Sequence, residues 1–383
     1  MAPYPSAVLD VSGLQVLIDL LCTDGYTVLG PTVRDGVIGH AQITSVDDLP
    51  RGVGDKQDGA HYRLTRRDDE ALFGYAVGAE SWKRLLFPAR ELLQRSQPDA
   101  SPDARPEVLP EPGRYALLGV RSCDLAALGV HDTVLTGRSG VDTHYAARRA
   151  DVLVLAVACG DPAGTCFCTS MGTGPSPREG YDLALTELLD VHGHRFLVHS
   201  GSPRGTELLD RLPTTAVTDQ DTASAALVVE TATRHMGRHL DTTDIKDLLY
   251  SNAEHPQWDD VASRCLACSN CTLVCPTCFC TSVEDHTDLA TGTAERFRVW
   301  DSCFTSDFSY LHGGSIRPST RARYRQWATH KLAAWWDQFG TSGCVGCGRC
   351  VTWCPAAIDI TAEVAALRVD PQAPSVTTGP SEV

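Results

Sequence analysis

The chain has 383 residues, of which 43% are apolar, so it is long enough for two or three domains with buried cores. Its formal net charge is −15 at pH 7, which disfavours nucleic acid and anionic membrane surfaces as partners. No apolar run approaches the roughly 20 residues that span a bilayer, and residues 1–10 lack the basic and apolar regions of a secretory signal. We therefore expect a cytoplasmic protein with no nucleic acid and no membrane among its partners.

Residues 1–95 are predicted to form a mixed α/β unit. Residues 13–21 have the apolar spacing of a helix, and residues 26–29 are typical of a strand. The aromatic side chains expected in the core of this unit are Phe73, Tyr75, Trp82 and Phe87. Residues 96–113 are rich in Pro and Asp, which predicts a linker or exposed loop.

Residues 114–240 are predicted to form a second α/β unit. The apolar runs 115–120 and 151–158 have the length and composition of buried strands. Residues 183–189 and 221–239 are interpreted as helices. From 241 to 368, helix-like segments alternate with cysteine loops, and the tail 369–383 is expected to be disordered. The predicted fold class is thus an α+β or α/β N-terminal region followed by a helical, two-cluster ferredoxin-like 4Fe–4S domain.

Sixteen cysteines are present, and most of them lie in short clusters. Reducing compartments keep thiols free, so clustered cysteines there indicate metal binding or redox chemistry rather than disulfides. Cys22 is an exception, because it lies on an apolar helical face and is expected to be an ordinary core residue.

Two segments match the bacterial ferredoxin pattern C-x2-C-x2-C-x3-C-P. The first consists of Cys265, Cys268, Cys271 and Cys275, followed by Pro276. The second consists of Cys344, Cys347, Cys350 and Cys354, followed by Pro355. Three thiolates at this spacing wrap around three corners of a 4Fe–4S cubane, while the fourth points away from it.

In two-cluster ferredoxins the fourth cysteine ligates the other cluster. On that pattern, one cluster has the ligands Cys265, Cys268, Cys271 and Cys354. The other has the ligands Cys344, Cys347, Cys350 and Cys275. The alternative is a pair of zinc sites, which two complete motifs with their closing prolines disfavour. A long insertion between the two motifs distinguishes this chain from small ferredoxins.

A looser group of cysteines follows the two predicted strands of the second unit. Cys123 comes just after the first strand and Cys159 just after the second, with Cys166 and Cys168 close behind. If both strands end at one edge of a sheet, four thiolates meet where ligands usually bind. We expect a third 4Fe–4S cluster there; the alternatives are zinc or buried structural thiols.

Three further cysteines, Cys278, Cys280 and Cys303, are left over beside the first ferredoxin motif. They suit a cluster with one non-cysteine ligand, a redox-sensitive trio, or simply the surroundings of the neighbouring cluster. The sequence T-C-F-C-T-S around Cys278 and Cys280 repeats the one around Cys166 and Cys168. The basic segment 317–331 suits either a solvated face, a docking surface, or positive charge that raises a cluster potential.

Several common signatures of cofactor binding and catalysis do not occur in this sequence. We find no G-x-G-x-x-G after a strand, no Walker A sequence and no H-E-x-x-H. Clusters carry single electrons, so two-electron chemistry is expected in a partner and the chain itself is expected to be non-catalytic.

The segments RCLACSNCTLVCPTCFCTSVED, WDSCFTSDFSYLHGGSIRPSTRARYRQWATHKL and QFGTSGCVGCGRCVTWCPAAIDIT resemble the beta subunit of soluble NAD(P)-linked NiFe hydrogenases, also called sulfhydrogenases. The stretches VRSCDLAAL and CFCTSMG extend the similarity toward the N-terminus. The resemblance implies a heterotetramer, in which this subunit connects the NiFe hydrogenase large and small subunits with a flavin/2Fe–2S NAD(P)-reductase subunit. Two alternatives are the iron–sulfur subunit of an anaerobic sulfite reductase and an iron–sulfur redox sensor.

Overall fold

A computed structural model describes residues 4–96, 113–137 and 140–369. Most of the predicted linker (residues 97–112) and the predicted tail from residue 370 lie outside the described residues.

The strands are β1 (Ser6–Asp10), β2 (Thr27–Arg34), β3 (Val37–Gln42), β4 (Val53–Asp58), β5 (His61–Arg66), β6 (Arg90–Ser96), β7 (Tyr115–Val120), β8 (Val152–Val157), β9 (Leu183–Asp190), β10 (Gly193–Ser200), β11 (Thr281–Thr287), β12 (Ala294–Trp300), β13 (Tyr310–Leu311) and β14 (Gly314–Ser315). The α-helices are α1 (Val11–Thr23), α2 (Lys83–Leu86), α3 (Ser122–Leu135), α4 (Thr143–Ala150), α5 (Pro203–Leu209), α6 (Asp219–Arg234), α7 (Ile245–Ser251), α8 (Gln257–Arg264), α9 (Asn270–Leu273), α10 (Thr320–Thr329), α11 (Trp335–Phe339), α12 (Arg349–Thr352) and α13 (Ile360–Ala366). A 3-10 turn spans Val46–Asp48, and a π-helical turn spans His330–Ala334.

A seven-stranded mixed sheet, in the order β1-β10-β9-β8-β7-β2-β3, organises the N-terminal two thirds of the described chain. Its centre is parallel, because β7 pairs with β2 and β8, and β8 with β9, in parallel register. The residues of β8 are buried along its whole length, as expected for a strand with both faces covered. The predicted strands 115–120 and 151–158 are thereby confirmed as neighbours in one sheet.

Strands from both predicted α/β units take part in this sheet. The strands β1, β2 and β3 come from residues 1–95, and β7 to β10 come from residues 114–240. The domain boundaries inferred from the sequence stay predictions, but the two segments share a hydrogen-bonded sheet.

The prediction of a helix at 183–189 is wrong, because this segment is the strand β9. An apolar run of this length suits a helix and a buried strand about equally well, and its neighbours decide. Here β8 on one side and β10 on the other supply backbone partners for the segment. The second helix of this unit is confirmed as α6, although its start and end differ from residues 221–239.

The helix predicted at residues 13–21 is confirmed as α1, but the placement of Cys22 in the core is wrong. The buried stripe of α1 includes Leu14, Leu17, Ile18 and Leu21, which follow the helical period. Cys22 is one residue beyond this stripe, and a step of about 100° along an α-helix turns it toward solvent, where it is exposed. The four aromatic residues predicted in the core between residues 73 and 87 are confirmed as buried.

The C-terminal region, which was predicted to be helical, contains strands as well as helices. The hairpin of β11 and β12 inserts between its cysteine motifs and forms a three-stranded sheet with β6. The helices α7, α8, α10 and α13 surround a separate apolar core that contains Trp258, Tyr324 and Trp327. The long insertion between the motifs is therefore structured, and it connects this region to the N-terminal part of the chain.

Candidate iron–sulfur sites

The two ferredoxin motifs adopt the same backbone conformation. The third and fifth residues of each motif have positive φ angles of 50–75°; they are Ala267, Ser269, Gly346 and Gly348. In each motif the amide of the third residue donates to the first thiol, from Ala267 to Cys265 and from Gly346 to Cys344, both at 3.4 Å. Such turns fold the backbone around the thiols and aim N–H groups at sulfur, which favours the thiolate that a metal needs.

One cavity is lined by three thiols of the first motif and by two of the second, Cys350 and Cys354. The ferredoxin pattern assigns Cys265, Cys268, Cys271 and Cys354 to one cluster, and we call these four residues site 1. The rest of the lining is largely apolar and includes Phe304, Tyr324 and Trp327. The amide of Ile358 donates to the Cys354 thiol at 3.4 Å.

A second cavity is lined by the reciprocal set. We call these four residues site 2: Cys275, Cys344, Cys347 and Cys350. Trp327 lines both cavities, so the two sites lie side by side. Each cavity thus receives the fourth cysteine of the other motif, which is the arrangement typical of two-cluster ferredoxins.

Burial acts strongly on Cys271 of site 1 and on Cys344 of site 2. It raises the pKa of Cys344 to about 12, and it raises the pKa of Cys271 as well. At Cys275 the shift is opposite, because the Cys278 thiol and the ammonium groups of Lys331 and Lys83 hold its pKa below the usual range. Metals bind the thiolate, so binding at Cys271 and Cys344 must release their protons.

In the described parts of the chain, no three His, Cys, Asp or Glu side chains are arranged to hold a single metal ion. A zinc ion needs its ligands to converge on one point at about 2.0–2.3 Å. In a cubane each thiolate binds its own iron, so the thiols stand apart around a cavity. The thiols of a cubane site are therefore spaced more widely than the ligands of a single ion.

The four cysteines predicted to hold a third cluster are brought into one region, next to site 2. We call them site 3: Cys123, Cys159, Cys166 and Cys168. Cys123 lies in the first turn of α3 after β7, and Cys159 follows β8, so both are at the carboxyl edge of neighbouring parallel strands. Cys123 and Cys168 pack with Cys347 of site 2 in one buried cluster. Cys159 interacts electrostatically with Cys166 and Cys168.

Arg121 places a buried positive charge beside site 3. It donates to the carbonyl oxygens of Phe73, Tyr75 and Ala158 at 2.6–2.9 Å. Its charge acts on Cys159, although burial dominates and raises the pKa of that thiol. A fixed cation of this kind favours bound anions such as thiolates.

The leftover thiols lie on the Cys275 side of site 2. The Cys278 thiol interacts with that of Cys275, and the Cys303 thiol with that of Cys280. The Cys303 thiol lowers the pKa of Cys280 to about 7. The amide of Asp301 donates to the carbonyl of Cys280 at 2.9 Å, which joins the two ends of the β11–β12 hairpin.

Both copies of the repeated T-C-F-C-T-S sequence contact the loop of the second motif. In the first copy, the amide of Phe167 donates to the carbonyl of Gly346 at 2.8 Å. In the second copy, the hydroxyl of Thr277 donates to the carbonyl of Gly343 at 2.7 Å. The loop around site 2 is therefore held at two points by similar segments.

Two charged residues near site 2, Arg349 and Lys83, were missed by the sequence analysis, whereas Lys331 ends the basic segment 317–331, for which a solvated face, a docking surface and a raised cluster potential were the alternatives. Arg349 lies within the second motif, is 1% exposed, and pairs with Asp124 at 2.7 Å. Lys83 and Lys331 are buried beside Cys275. Of the two missed residues, only Arg349 gave a signal in the sequence, because a charged residue between two cluster cysteines is unusual for a buried loop.

The basic segment 317–331 is only partly a free surface. Arg321 forms ion pairs with Glu254 at 2.9 Å and Asp259 at 3.1 Å, and Arg325 pairs with Glu254 at 3.0 Å. Lys331 at the end of the segment turns into the protein.

The fold and these sites define an iron–sulfur protein of the ferredoxin type, with a role in electron transfer. Residues 264–358 match the family of the 4Fe-4S dicluster domain, which supports the presence of iron–sulfur clusters. Over 250 residues, the chain is 33% identical to the sulfhydrogenase 2 subunit beta of Pyrococcus furiosus, a match that covers 64% of this chain and 72% of that relative. The chain therefore belongs to the sulfhydrogenase beta-subunit family, as its motifs predicted. No solved structure matches the chain.

Among the described helices, none is both long and apolar enough to cross a membrane.

Proposed function

We propose that the chain relays single electrons through 4Fe–4S clusters between a flavin NAD(P)-reductase subunit and a NiFe hydrogenase catalytic module. The observation that carries the proposal is the exchange of fourth cysteines: Cys354 lines site 1 and Cys275 lines site 2. Two cubanes held in this way are adjacent, and adjacent clusters pass electrons in series. The chain itself is then a non-catalytic subunit in the cytoplasm.

The four thiolates of site 1 ligate one cluster, and those of site 2 ligate a second. Each cluster supplies a reversible one-electron store, while the protein supplies thiolates, N–H···S hydrogen bonds and an apolar shell that excludes water. The left-handed turns of both motifs support this assignment, because they bring an amide to the first thiol of each set.

The four thiols of site 3 ligate a third cluster. Support comes from the packing of Cys123 and Cys168 against Cys347, a proposed ligand of site 2. Site 2 is then the middle cluster of the relay, because it adjoins both of the others.

The hydrogenase partners follow from the family. The relative from Pyrococcus furiosus is named as a sulfhydrogenase subunit, which favours a NiFe large and small subunit on one side of the relay. A flavin subunit with a 2Fe–2S cluster completes the proposed heterotetramer on the NAD(P) side.

The decisive experiment measures iron, zinc and acid-labile sulfide in anaerobically purified protein, with EPR after dithionite reduction. We expect about twelve iron and twelve sulfide per chain, at four iron per cluster. About eight of each would return site 3 to a structural role, and stoichiometric zinc with little iron would overturn the proposal.

A cysteine variant then tests the relay. Cys347→Ser should lose about four iron and stop electron transfer from H2 to NAD(P) in the complex, while hydrogenase activity with an artificial dye survives. Cys22→Ser is the matched control, because Cys22 is exposed on α1 and belongs to none of the three sites. Normal NAD(P) reduction by Cys347→Ser would contradict the relay.

A further inference from the structure

Two buried lysines flank site 2. Lys331 is 5% exposed and lies in the π-helical turn, whereas Lys83 is 4% exposed and begins α2. Among residues 4–96, 113–137 and 140–369, no carboxylate lies within ion-pair distance of either lysine. A buried ammonium is unfavourable unless an anion compensates it. The groups that face these two cations are cysteines.

Lys331 contacts a proposed cluster ligand directly. Its Nζ donates to the Cys275 Sγ at 3.2 Å, to the Thr277 hydroxyl at 2.9 Å and to the Gly343 carbonyl at 3.4 Å. Its own carbonyl accepts from the amide of Gly343 at 2.8 Å. The residue is therefore fixed at both ends against the loop that begins the second motif.

Lys83 holds the same segment from the other side. Its Nζ donates to the carbonyl oxygens of Cys275 at 2.9 Å and Cys278 at 3.2 Å, and lies 3.9 Å from the ring centroid of Trp300. It touches backbone and an aromatic face rather than a thiol. Its charge nevertheless lies beside the same cluster site.

The other buried cation at site 2 is already compensated. Arg349 forms two hydrogen bonds with the carboxylate of Asp124, at 2.7 and 3.0 Å, so this pair adds little net charge. At site 1 the cation next to Cys265 is Arg323, which donates to the carbonyl of Phe304 at 2.9 Å. The described contacts thus give site 2, but not site 1, an ammonium that donates directly to a ligand sulfur.

We propose that Lys331, with Lys83 behind it, raises the reduction potential of the cluster at site 2 above that of the cluster at site 1. The inference rests on the proposed ligand assignment. Adding one electron makes a cluster more negative by one charge, and an N–H···S hydrogen bond from a buried cation stabilises that charge. Electrons that enter the relay then collect at the middle site. Lys331 is a positioning residue that acts through the Cys275 sulfur.

The test is an EPR-monitored redox titration of the full chain after replacing Lys331→Met, which removes the charge and nearly preserves length. At the midpoint potential of wild-type site 2, the ratio of reduced to oxidised cluster should fall about tenfold or more, which is a shift of about 59 mV for one electron. The midpoint of site 1 should stay unchanged. Cys347→Ser and Cys268→Ser assign the EPR signals of sites 2 and 1, since each variant removes the signal of one of these two sites.

Two lysine controls separate charge from general effects. Lys331→Arg keeps the cation and should keep the larger part of the potential. Lys56→Met removes an exposed lysine of β4 and should change neither midpoint.

Wild-type potentials in Lys331→Met, with full iron content, would overturn the proposal, and so would an equal shift of both clusters. If Lys331→Met loses iron, the redox titration is carried out on Lys83→Met instead, because this variant keeps the contact between Lys331 and the Cys275 thiol. A lowered midpoint at site 2 alone then supports the proposal, and unchanged midpoints refute it. Unchanged iron content in both cysteine variants would instead refute the ligand assignment itself.

Discussion

At the scale of single residues, Gly346 lies at a position that only glycine can occupy, because its backbone is left-handed and a neighbouring backbone leaves no room for a Cβ. Its φ is +65°, and a Cβ built on it would lie 2.6 Å from the carbonyl oxygen of Phe167 and 2.7 Å from the Cys168 backbone. The loop of site 2 thus approaches the backbone of site 3 so closely that only glycine fits. Gly340 has nearly the same φ, +67°, but open space around it.

Gly346→Ala should therefore destabilise the protein more than Gly340→Ala. The left-handed conformation alone costs an alanine about 1–2 kcal/mol, and the collision at Gly346 should add about 1–3 kcal/mol. The rate of iron loss to a chelator should rise for Gly346→Ala and stay near wild type for Gly340→Ala. Equal iron loss in the two variants would show that the close approach does not matter.

The ion pair of Arg349 and Asp124 is a second contact at the residue scale, and it connects α12 to α3. Both side chains are almost fully buried, at 1% and 3% exposure. Arg349 also donates to the carbonyls of Gly78 and Glu80 at 2.8 and 3.0 Å. Removing one partner leaves an uncompensated buried charge.

Arg349→Met should lower the free energy of unfolding by about 3–5 kcal/mol, as is typical of broken buried pairs. Anaerobic urea unfolding followed by tryptophan fluorescence measures the change. In the double variant Arg349→Met with Asp124→Asn, the loss should be smaller than the sum of the two single losses. Additive losses would indicate that the two residues act independently.

At the scale of elements, α3 buries a histidine against its neighbours. His131 is 1% exposed, and its ring makes an edge contact with Phe87 at 6.0 Å between centroids. Burial lowers the pKa of His131 from 6.5 to about 3. The folded protein thus holds this imidazole neutral at pH values where the unfolded chain protonates it.

Stability should therefore fall as the pH drops below 6.5. Between pH 6.5 and about 3 the unfolded chain binds one more proton at His131 than the folded chain, so protonation favours unfolding by up to about 1.4 kcal/mol per pH unit. Above pH 6.5 this residue contributes no pH dependence. His131→Phe should make the decline between pH 6.5 and 5.5 less steep in urea unfolding, and the remaining slope should come from His40 and His330, whose pKa values burial lowers to about 4. His192→Phe in an exposed turn is the control and should leave the decline unchanged. A wild-type slope in His131→Phe would contradict this origin.

At the scale of the whole molecule, the two ferredoxin-type sites depend on different parts of the chain. Site 1 borders the C-terminal apolar core, whose residues come almost entirely from positions 240–367. Site 2 is surrounded by Lys83, Asp124 and Phe167, which come from the N-terminal two thirds. The sites are adjacent in space, but they differ in what supports them.

A fragment of residues 241–369 should therefore retain site 1 and lose site 2. After anaerobic reconstitution we expect about four iron per fragment, at four per cluster, and a single EPR signal. The full-length chain reconstituted in parallel is the control. Eight iron in the fragment would show that this region is an independent domain, as the sequence by itself suggests.

Local patterns in the sequence determined much of the chemistry. The spacing of the cysteines and the prolines that follow them predicted two ferredoxin motifs, because that spacing reflects the reach of a short backbone loop around a cluster. The apolar runs at 115–120 and 151–158 predicted the central strands, and with them the common edge at which Cys123 and Cys159 lie. These inferences depend on contacts between residues close in sequence or on one repeating period.

Only the tertiary structure decided the features that depend on distant neighbours. The segment 183–189 is a strand because β8 and β10 offer it backbone partners, although its composition also suits a helix. Lys83 looks like an ordinary surface lysine in the sequence, and Lys331 ends a basic segment whose role the sequence leaves open. The burial of both follows from the packing of α2 and the π-helical turn against Cys275. The charge around a cluster site is the sum of such long-range placements, and no local pattern specifies it.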